Sequence, residues 1–347
     1  MFVADLPFPA GLPEFQRLFP DDAACAAYLE KIRWRDGFVC PSCGTAADPA
    51  RISTRPHVLR CRKCRKETRL TAGTVMQDSH SALLTWFWGA YLVASMTPGM
   101  SATQFQRQLG LGRYETAFPI LHKLRAGMVR PDADKIGGTH AVELDEAWIG
   151  GRTRGEGKGI HHKVCVVGAV EVRTRKPKTS DHPFGEQRQA IPRRGGRYAG
   201  RLRLSVVPDR TAKSLVGFAR EAIAPGTDIT TDDWQGYDTL PKYGFQHRAI
   251  AERGDPSVAE VWLPLIHLVF SNLKSWLLGI HHGVSAQHLQ AYLNEFTFRF
   301  NRRFYPFNAF RSLLGISAGA ESPTYAELYS GEWEHHRFGT IGTTRGG

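Results

Sequence analysis

No apolar run reaches the roughly 18 residues of a membrane-spanning helix. The N-terminus MFVADLPFPAG also lacks a basic region followed by an apolar core. A membrane partner is thereby set aside, and a cytoplasmic protein is expected. Collagen-like repeats, low complexity and internal repeats are absent too, and a hydrophobic fraction of 42% is ordinary for a folded chain. Acids are the scarce charge. There are 33 Asp and Glu against 45 Lys and Arg, a net charge of +12 and a sequence pI near 9.6. That balance points to a polyanionic partner. The excess is concentrated: residues 51–69 hold eight Lys or Arg against the single acid Glu67, and residues 173–203 hold ten against Asp181 and Glu186. Two discrete basic clusters suit surfaces that track phosphates.

Cysteine is scarce as well, six in 347 residues, yet four fall in a pattern. Cys40 and Cys43 form CPSC, Cys61 and Cys64 form CRKC, and 17 residues separate the pairs. Two such knuckles match a zinc ribbon, in which four thiolates close a tetrahedral structural site. A disulfide pairing fits poorly with a basic cytoplasmic chain. Arg62, Lys63, Arg65 and Lys66 surround the second knuckle and are candidate DNA contacts. Cys25 and Cys165 read as small core residues.

Before the ribbon, residues 13–34 read as helical, with Asp21 or Asp22 as cap and Ala24, Ala27, Tyr28 and Ile32 facing inward. After it, Leu83 to Ser95 is an aromatic core helix. Residues 100–125 then give a helix capped by Ser101, a glycine turn at Gly110 to Gly112 and a second helix from about Tyr114. That order resembles a helix-turn-helix, with Arg113, Lys123 and Arg125 as candidate DNA contacts, although Pro119 interrupts the second helix.

The most informative stretch is WLPLIHLVFSNLKSWLL, residues 262–278. Trp262, Leu265, Ile266, Val269, Phe270, Leu273, Trp276 and Leu277 recur with helical period. His267, Ser271 and Lys274 then share one polar edge, and Pro264 suits the first turn. Upstream, AVELDEAWIGG and TDITTDDWQGY each read as a strand ending in acids, Asp145 and Asp232. Carboxylates at two strand ends and a helix presenting His and Lys suit divalent-metal and phosphate chemistry. Glu143 and Glu146 flank Asp145 and, in a strand, are expected to point away from it in supporting roles. Glu260 is an alternative third acid. Trp148, Trp234 and Tyr237 lie close in sequence, as core residues or base-stacking platforms.

VELDEAWIGG, TTDDWQGY and HLVFSNLKSWLLGIHHGVSAQHLQAYLNEFTFRFNRR resemble the three catalytic blocks of insertion-sequence DDE transposases, of the ISXO-type branch with a zinc ribbon before a ribonuclease H-like core. The resemblance runs from about Phe38 to Arg303. It implies Asp145 and Asp232 as the two aspartates, His267 in the third catalytic position and Lys274 seven residues later, as catalytic residues. It further implies two Mg²⁺ or Mn²⁺ ions held by Asp145, Asp232 and His267. The partners expected are DNA, both terminal inverted repeats and target, with a homodimer or larger assembly forming on it in the nucleoid. Strand cleavage and strand transfer would be the reactions. The alternatives are a decayed transposase or zinc-ribbon DNA-binding regulator without catalysis, and a nuclease of the same core that does not join ends.

The expected fold is α+β and multidomain. It comprises an N-terminal helical segment (1–35), a zinc ribbon (36–78), a helix-turn-helix-like region (79–135), an α/β ribonuclease H-like core (140–305) and a C-terminal tail (306–347). Within the core, strands are expected at 142–148, 162–172, 201–207 and 228–231 and a crossover helix at 211–223. A mobile basic insert at 173–200 would carry Arg193 and Arg194 to DNA. Residues 284–303 read as a further amphipathic helix, and the chain from Ser322 as loosely held.

Overall fold

The computed structural model describes residues 6–96, 98–130, 133–150, 163–175, 179–180, 188–189, 196–251 and 261–338. The chain divides into two compact units, Met1–Arg130 with Arg302–His336 and Gly342–Gly347, and Pro131–Asn301 with Arg337–Ile341.

The first unit is helical around a small sheet. Helix α1 spans Leu12–Leu18 and α2 spans Asp22–Arg33. Asp21 caps α2 by accepting from Ala24 N at 2.8 Å. Its neighbour Asp22 instead accepts from Leu83 N and Leu84 N, so it caps α3, Leu83–Ser95, from 61 residues away. The inward face of α2 consists of Cys25, Ala26, Tyr28 and Leu29, whereas Ala27 is exposed. The ribbon contributes strands β1 Ala50–Arg51, β2 Val58–Arg60 and β3 Glu67–Arg69, paired antiparallel in that order. Helix α4, Ala102–Gln108, is capped by Ser101, and α5, Tyr114–Ala126, contains Pro119.

The second unit is built on a five-stranded sheet. Its strands are β4 Val142–Ile149, β5 Val164–Thr174, β8 Arg197–Val207, β9 Asp228–Asp232 and β10 Gln246–Ile250. Between β5 and β8, the two-residue strands β6 Thr179–Ser180 and β7 Arg188–Gln189 pair with each other. The sheet order is β10-β9-β4-β5-β8, with β8, β5 and β4 antiparallel and β4, β9 and β10 parallel. Three antiparallel strands followed by two parallel ones give the ribonuclease H-like arrangement. Strand β10 was not evident in the sequence because QHRAI is a mostly exposed edge strand without apolar alternation.

Helix α6, Ala212–Ala222, capped by Thr211, covers one face of the sheet through Leu215, Phe218 and Ala219. The other face is covered by α7, Pro264–His281, and α8, Ala286–Arg302. Helix α7 buries Leu265, Ile266, Val269, Phe270, Leu273 and Leu277. Trp262, expected on that face, precedes the helix, is 41% exposed and lies 5.0 Å from the Arg248 guanidinium. Gly168 of β5 makes the close approach of α7 possible. A Cβ there would meet Leu204 Cδ2 at 2.9 Å and both Ile266 Cδ1 and Phe270 Cζ at 3.0 Å.

The C-terminal segment carries more order than its composition implied. Helix α9, Pro306–Ser317, packs on α3 in the first unit, where Phe310 lies among Phe15, Phe19, Phe87 and Tyr91. Helix α10, Tyr325–Ser330, has a complete capping box from Thr324 and Glu327 and buries Leu328.

Candidate functional site

Two concentrations of ligand-type atoms emerge from these elements. In the first unit, Cys40, Cys43, Cys61 and Cys64 bring their sulfurs within 4.8 Å of one another. The Cys40–Cys64 and Cys43–Cys61 sulfurs are 3.6 and 3.7 Å apart. Thiolates around a tetrahedral zinc, at Zn–S near 2.3 Å, sit about 3.8 Å apart, so the four residues fit that ion. Hydrogen bonding with Thr45 brings the Cys43 thiol down to about 6, toward the form that binds metal.

The second lies in the sheet unit. Asp145 is near the centre of β4 and Asp232 ends β9, which pairs parallel with β4, so 87 residues of sequence separation are closed by one sheet contact. One oxygen each from Asp145, Glu146 and Asp232 lie within 4.8 Å of one another. His267, in the first turns of α7, places Nε2 3.4 Å from Asp145 Oδ2. Asp145 is therefore the member common to the His267 contact and the carboxylate group. Lys274 is exposed on the same edge of α7, seven residues and about 10 Å further along the axis.

The position of His267 is set by a residue far away in sequence. Glu143 of β4, only 1% exposed, accepts from Leu265 N and Ile266 N, both at 2.8 Å. Leu263, at the N-cap position, provides no side-chain cap. Glu143 thus satisfies two otherwise unpaired donors of the helix start and fixes α7 on the sheet. Burial pushes its carboxyl up to about 7 despite those two bonds.

Glu146 keeps to the α6 side of β4 that alternation assigns it, with Leu144 and Trp148, whereas Glu143, expected to point away from Asp145, shares the α7 face with it. The Glu146 side chain is 2% exposed, pairs with Arg210 and accepts from the Tyr237 hydroxyl. Those two partners, from the segments after β8 and β9, anchor the carboxylate there, with one oxygen within 4.8 Å of oxygens of Asp145 and Asp232. Its backbone N–H donates to Asp145 Oδ1 at 2.8 Å. The Arg210 guanidinium lies 4.2 Å from the Trp234 ring, and Trp234 Nε1 donates to the Arg210 carbonyl at 2.9 Å. Trp148 and Trp234 pack against the apolar core beside α6, and Tyr237 is fully buried within it. Burial first, then the charges of Glu146 and Asp145, push the Asp232 carboxyl up to about 6. Glu146 is raised as well, first by burial, so both carboxyls resist ionisation.

Of the candidate DNA contacts, Arg62, Lys63, Arg65, Lys66 and Arg113 are exposed. Lys123 is half-buried and donates to the Gln77 carbonyl. Arg125 corrects the sequence reading. It shares the inner face of α5 with Leu121 and Leu124, is 1% exposed and offers no surface to a duplex. Arg193, Arg194, Glu260 and most of the basic insert lie outside the described residues.

A second buried acid escaped the sequence reading altogether. Glu171, fully buried in β5, receives Arg201 N and Nε, Arg173 Nη2 and Gly137 N. Burial alone would raise its carboxyl, but the hydrogen bonds, led by Arg201, hold it down at about 2. The signal was two arginines flanking the basic cluster, which read as surface charge.

Known proteins agree with this organisation. Residues 135–301 match the family model described as ISXO2-like transposase domain, and residues 20–67 match the transposase zinc-ribbon domain. A Halobacterium salinarum protein, described as an uncharacterized protein in transposable element ISH50, is 25% identical over 303 residues, covering 82% of this chain and 92% of its own. No solved structure matches. Among the described residues no helix is long and apolar enough to cross a membrane. A ribonuclease H-like sheet, a four-cysteine ribbon and both domain matches in that order agree with the catalytic blocks, and the chain belongs to the insertion-sequence DDE-class transposases that carry an N-terminal zinc ribbon.

Proposed function

We propose that the protein binds the ends of its own element and catalyses divalent-metal-dependent DNA cleavage and strand transfer. The observation that carries this reading is the position of Asp145, 3.4 Å from His267 and grouped with the carboxylate of Asp232. A residue shared between two ligand sets suits a pair of cations about 4 Å apart, as in-line displacement at phosphorus employs. Bound there, the ions would activate the attacking hydroxyl and neutralise charge on the leaving oxygen. Asp145 would bridge them, Asp232 would hold one and His267 the other.

The chain's own groups do the rest. Glu143 holds the start of α7, and with it His267, against the sheet. The core packed around Tyr237 and Trp234 backs the carboxylates and keeps bulk water from their rear. Lys274 would grip a phosphate flanking the scissile bond, its flexible ammonium reaching the strand from further along α7. The ribbon, with structural Zn²⁺ on Cys40, Cys43, Cys61 and Cys64, and the α4–α5 pair would engage the element ends. Arg62, Lys63, Arg65, Lys66 and Arg113 suit backbone contacts there.

Histidine in place of a third carboxylate removes one negative charge and adds a softer ligand. Strand transfer is therefore expected to run with Mn²⁺ at least as well as with Mg²⁺. Metal-dependent nicking and joining of DNA carrying the element ends, abolished by Asp145→Ala, tests the reading. Unchanged nicking in that variant contradicts it, cleavage without joining identifies a nuclease, and no cleavage by the wild type under either ion identifies a DNA-binding regulator.

A further inference from the structure

We infer that Glu146 is a fourth residue of the metal site, a ligand for the cation held by Asp145 and Asp232, and that Arg210 and Tyr237 hold it in that role. The inference rests on the two-cation reading above and goes beyond it, because that reading uses Asp145, Asp232 and His267 alone.

Asp145 and Glu146 leave β4 on opposite faces, toward α7 and toward the α6 side, yet their carboxylates approach where β9 ends at Asp232. One oxygen of each, with one of Asp232, lie within 4.8 Å of one another. Oxygens on a common octahedral ion at 2.0–2.1 Å are about 3 Å apart when adjacent and about 4.2 Å when opposite.

The carboxylate is built in rather than left over. Its side chain is 2% exposed, and each oxygen has one partner, Arg210 on Oε1 and the Tyr237 hydroxyl on Oε2. An ionised carboxylate offers about four lone-pair sites, so each oxygen keeps one for a cation. Arg210 is itself fixed by the Trp234 ring below its guanidinium and by the Trp234 Nε1 bond to its carbonyl.

Glu146 also answers the charge question posed by His267. The chain groups three carboxylates, Asp145, Glu146 and Asp232, one of them from the same strand as Asp145. The cation on the Asp232 side would see Asp145, Glu146 and Asp232, and the cation on the other side Asp145 and His267.

The test uses the full chain and needs no DNA. Calorimetric titration with Mn²⁺ is expected to show two sites in the wild type. In Glu146→Gln, which keeps the shape and an acceptor for Tyr237, the affinity of one site is expected to fall about 10- to 100-fold while the other is retained. Asp145→Asn is expected to weaken both. A second measurement avoids any folding defect: Mg²⁺ added to wild-type protein labelled with ¹³C only in its glutamates should shift a glutamate carboxylate stretch in the infrared. Asp145→Asn, which keeps every surface glutamate, should lose that shift. If Glu146→Gln binds both ions as the wild type does and the labelled glutamates show no such shift, Glu146 is structural and the inference falls. If Asp145→Asn also binds normally, the two-cation reading falls with it.

Discussion

Replacing Glu143 by alanine removes the side-chain acceptor that, among the described residues, serves Leu265 N and Ile266 N, two donors at the start of α7 each held at 2.8 Å. A buried N–H left without an acceptor costs about 1–3 kcal/mol, so the pair should cost about 2–6 kcal/mol, a large share of a typical domain's stability. The loss is local before it is global. Amide exchange at Leu265 and Ile266 should accelerate by about thirtyfold or more, the equivalent of about 2 kcal/mol. His267 follows Ile266 directly, so Mn²⁺ affinity should fall in the same variant even though Glu143 touches no ion. Glu143→Gln separates the causes, because its amide oxygen can still accept from the helix. It should keep most exchange protection and metal affinity. If the alanine variant leaves both amides as protected as in the wild type, or if Gln and Ala behave alike, the long-range cap does not hold the helix.

Three further outcomes follow from other parts of the molecule. Gly168→Ala forces a methyl within 3.0 Å of Leu204, Ile266 and Phe270 and should cost about 1–3 kcal/mol by denaturant unfolding; no loss would mean that α7 lies less tightly on β5 than described. The Glu171 carboxyl is held near 2, below the ordinary carboxylate value of 4.5, so its contribution is present above pH 4.5 and lost as pH falls through 2. The stability gap between wild type and Glu171→Gln should accordingly be flat from pH 5 to 7 and shrink by up to about 3 kcal/mol toward pH 2, and a gap independent of pH would refute the pairing with Arg201 and Arg173. Lys274→Ala should weaken DNA binding and flatten its salt dependence while leaving Mn²⁺ affinity unchanged, and equal loss of both would remove Lys274 from the phosphate.

Much of this architecture is legible in the sequence because its signals are local. The two CxxC pairs, the cap at Ser101 and the helical period of α7 each depend on residues within a turn or two. The parallel pairing of β9 with β4 was legible only through the need to unite Asp145 with Asp232. What escaped depends on distance. Glu143 caps a helix more than 120 residues away, Asp22 caps α3 rather than its own helix, and Glu171 collects donors from three separate segments. Glu146 escaped for a different reason: strand alternation fixes where a Cβ points, while Arg210 and Tyr237 decide where a long side chain ends. The helix at Tyr325–Ser330 was readable, since Thr324 and Glu327 stand at capping-box spacing, but the polar composition around them concealed it.

The central claim is that Asp145 joins two cations, and electron paramagnetic resonance of the Mn²⁺-loaded protein tests it most directly. Two ions bridged by one carboxylate about 4 Å apart should give an exchange-coupled spectrum that collapses to that of isolated Mn²⁺ in Asp145→Asn. Uncoupled Mn²⁺ in the wild type, with a spectrum unaltered by Asp145→Asn, would contradict it.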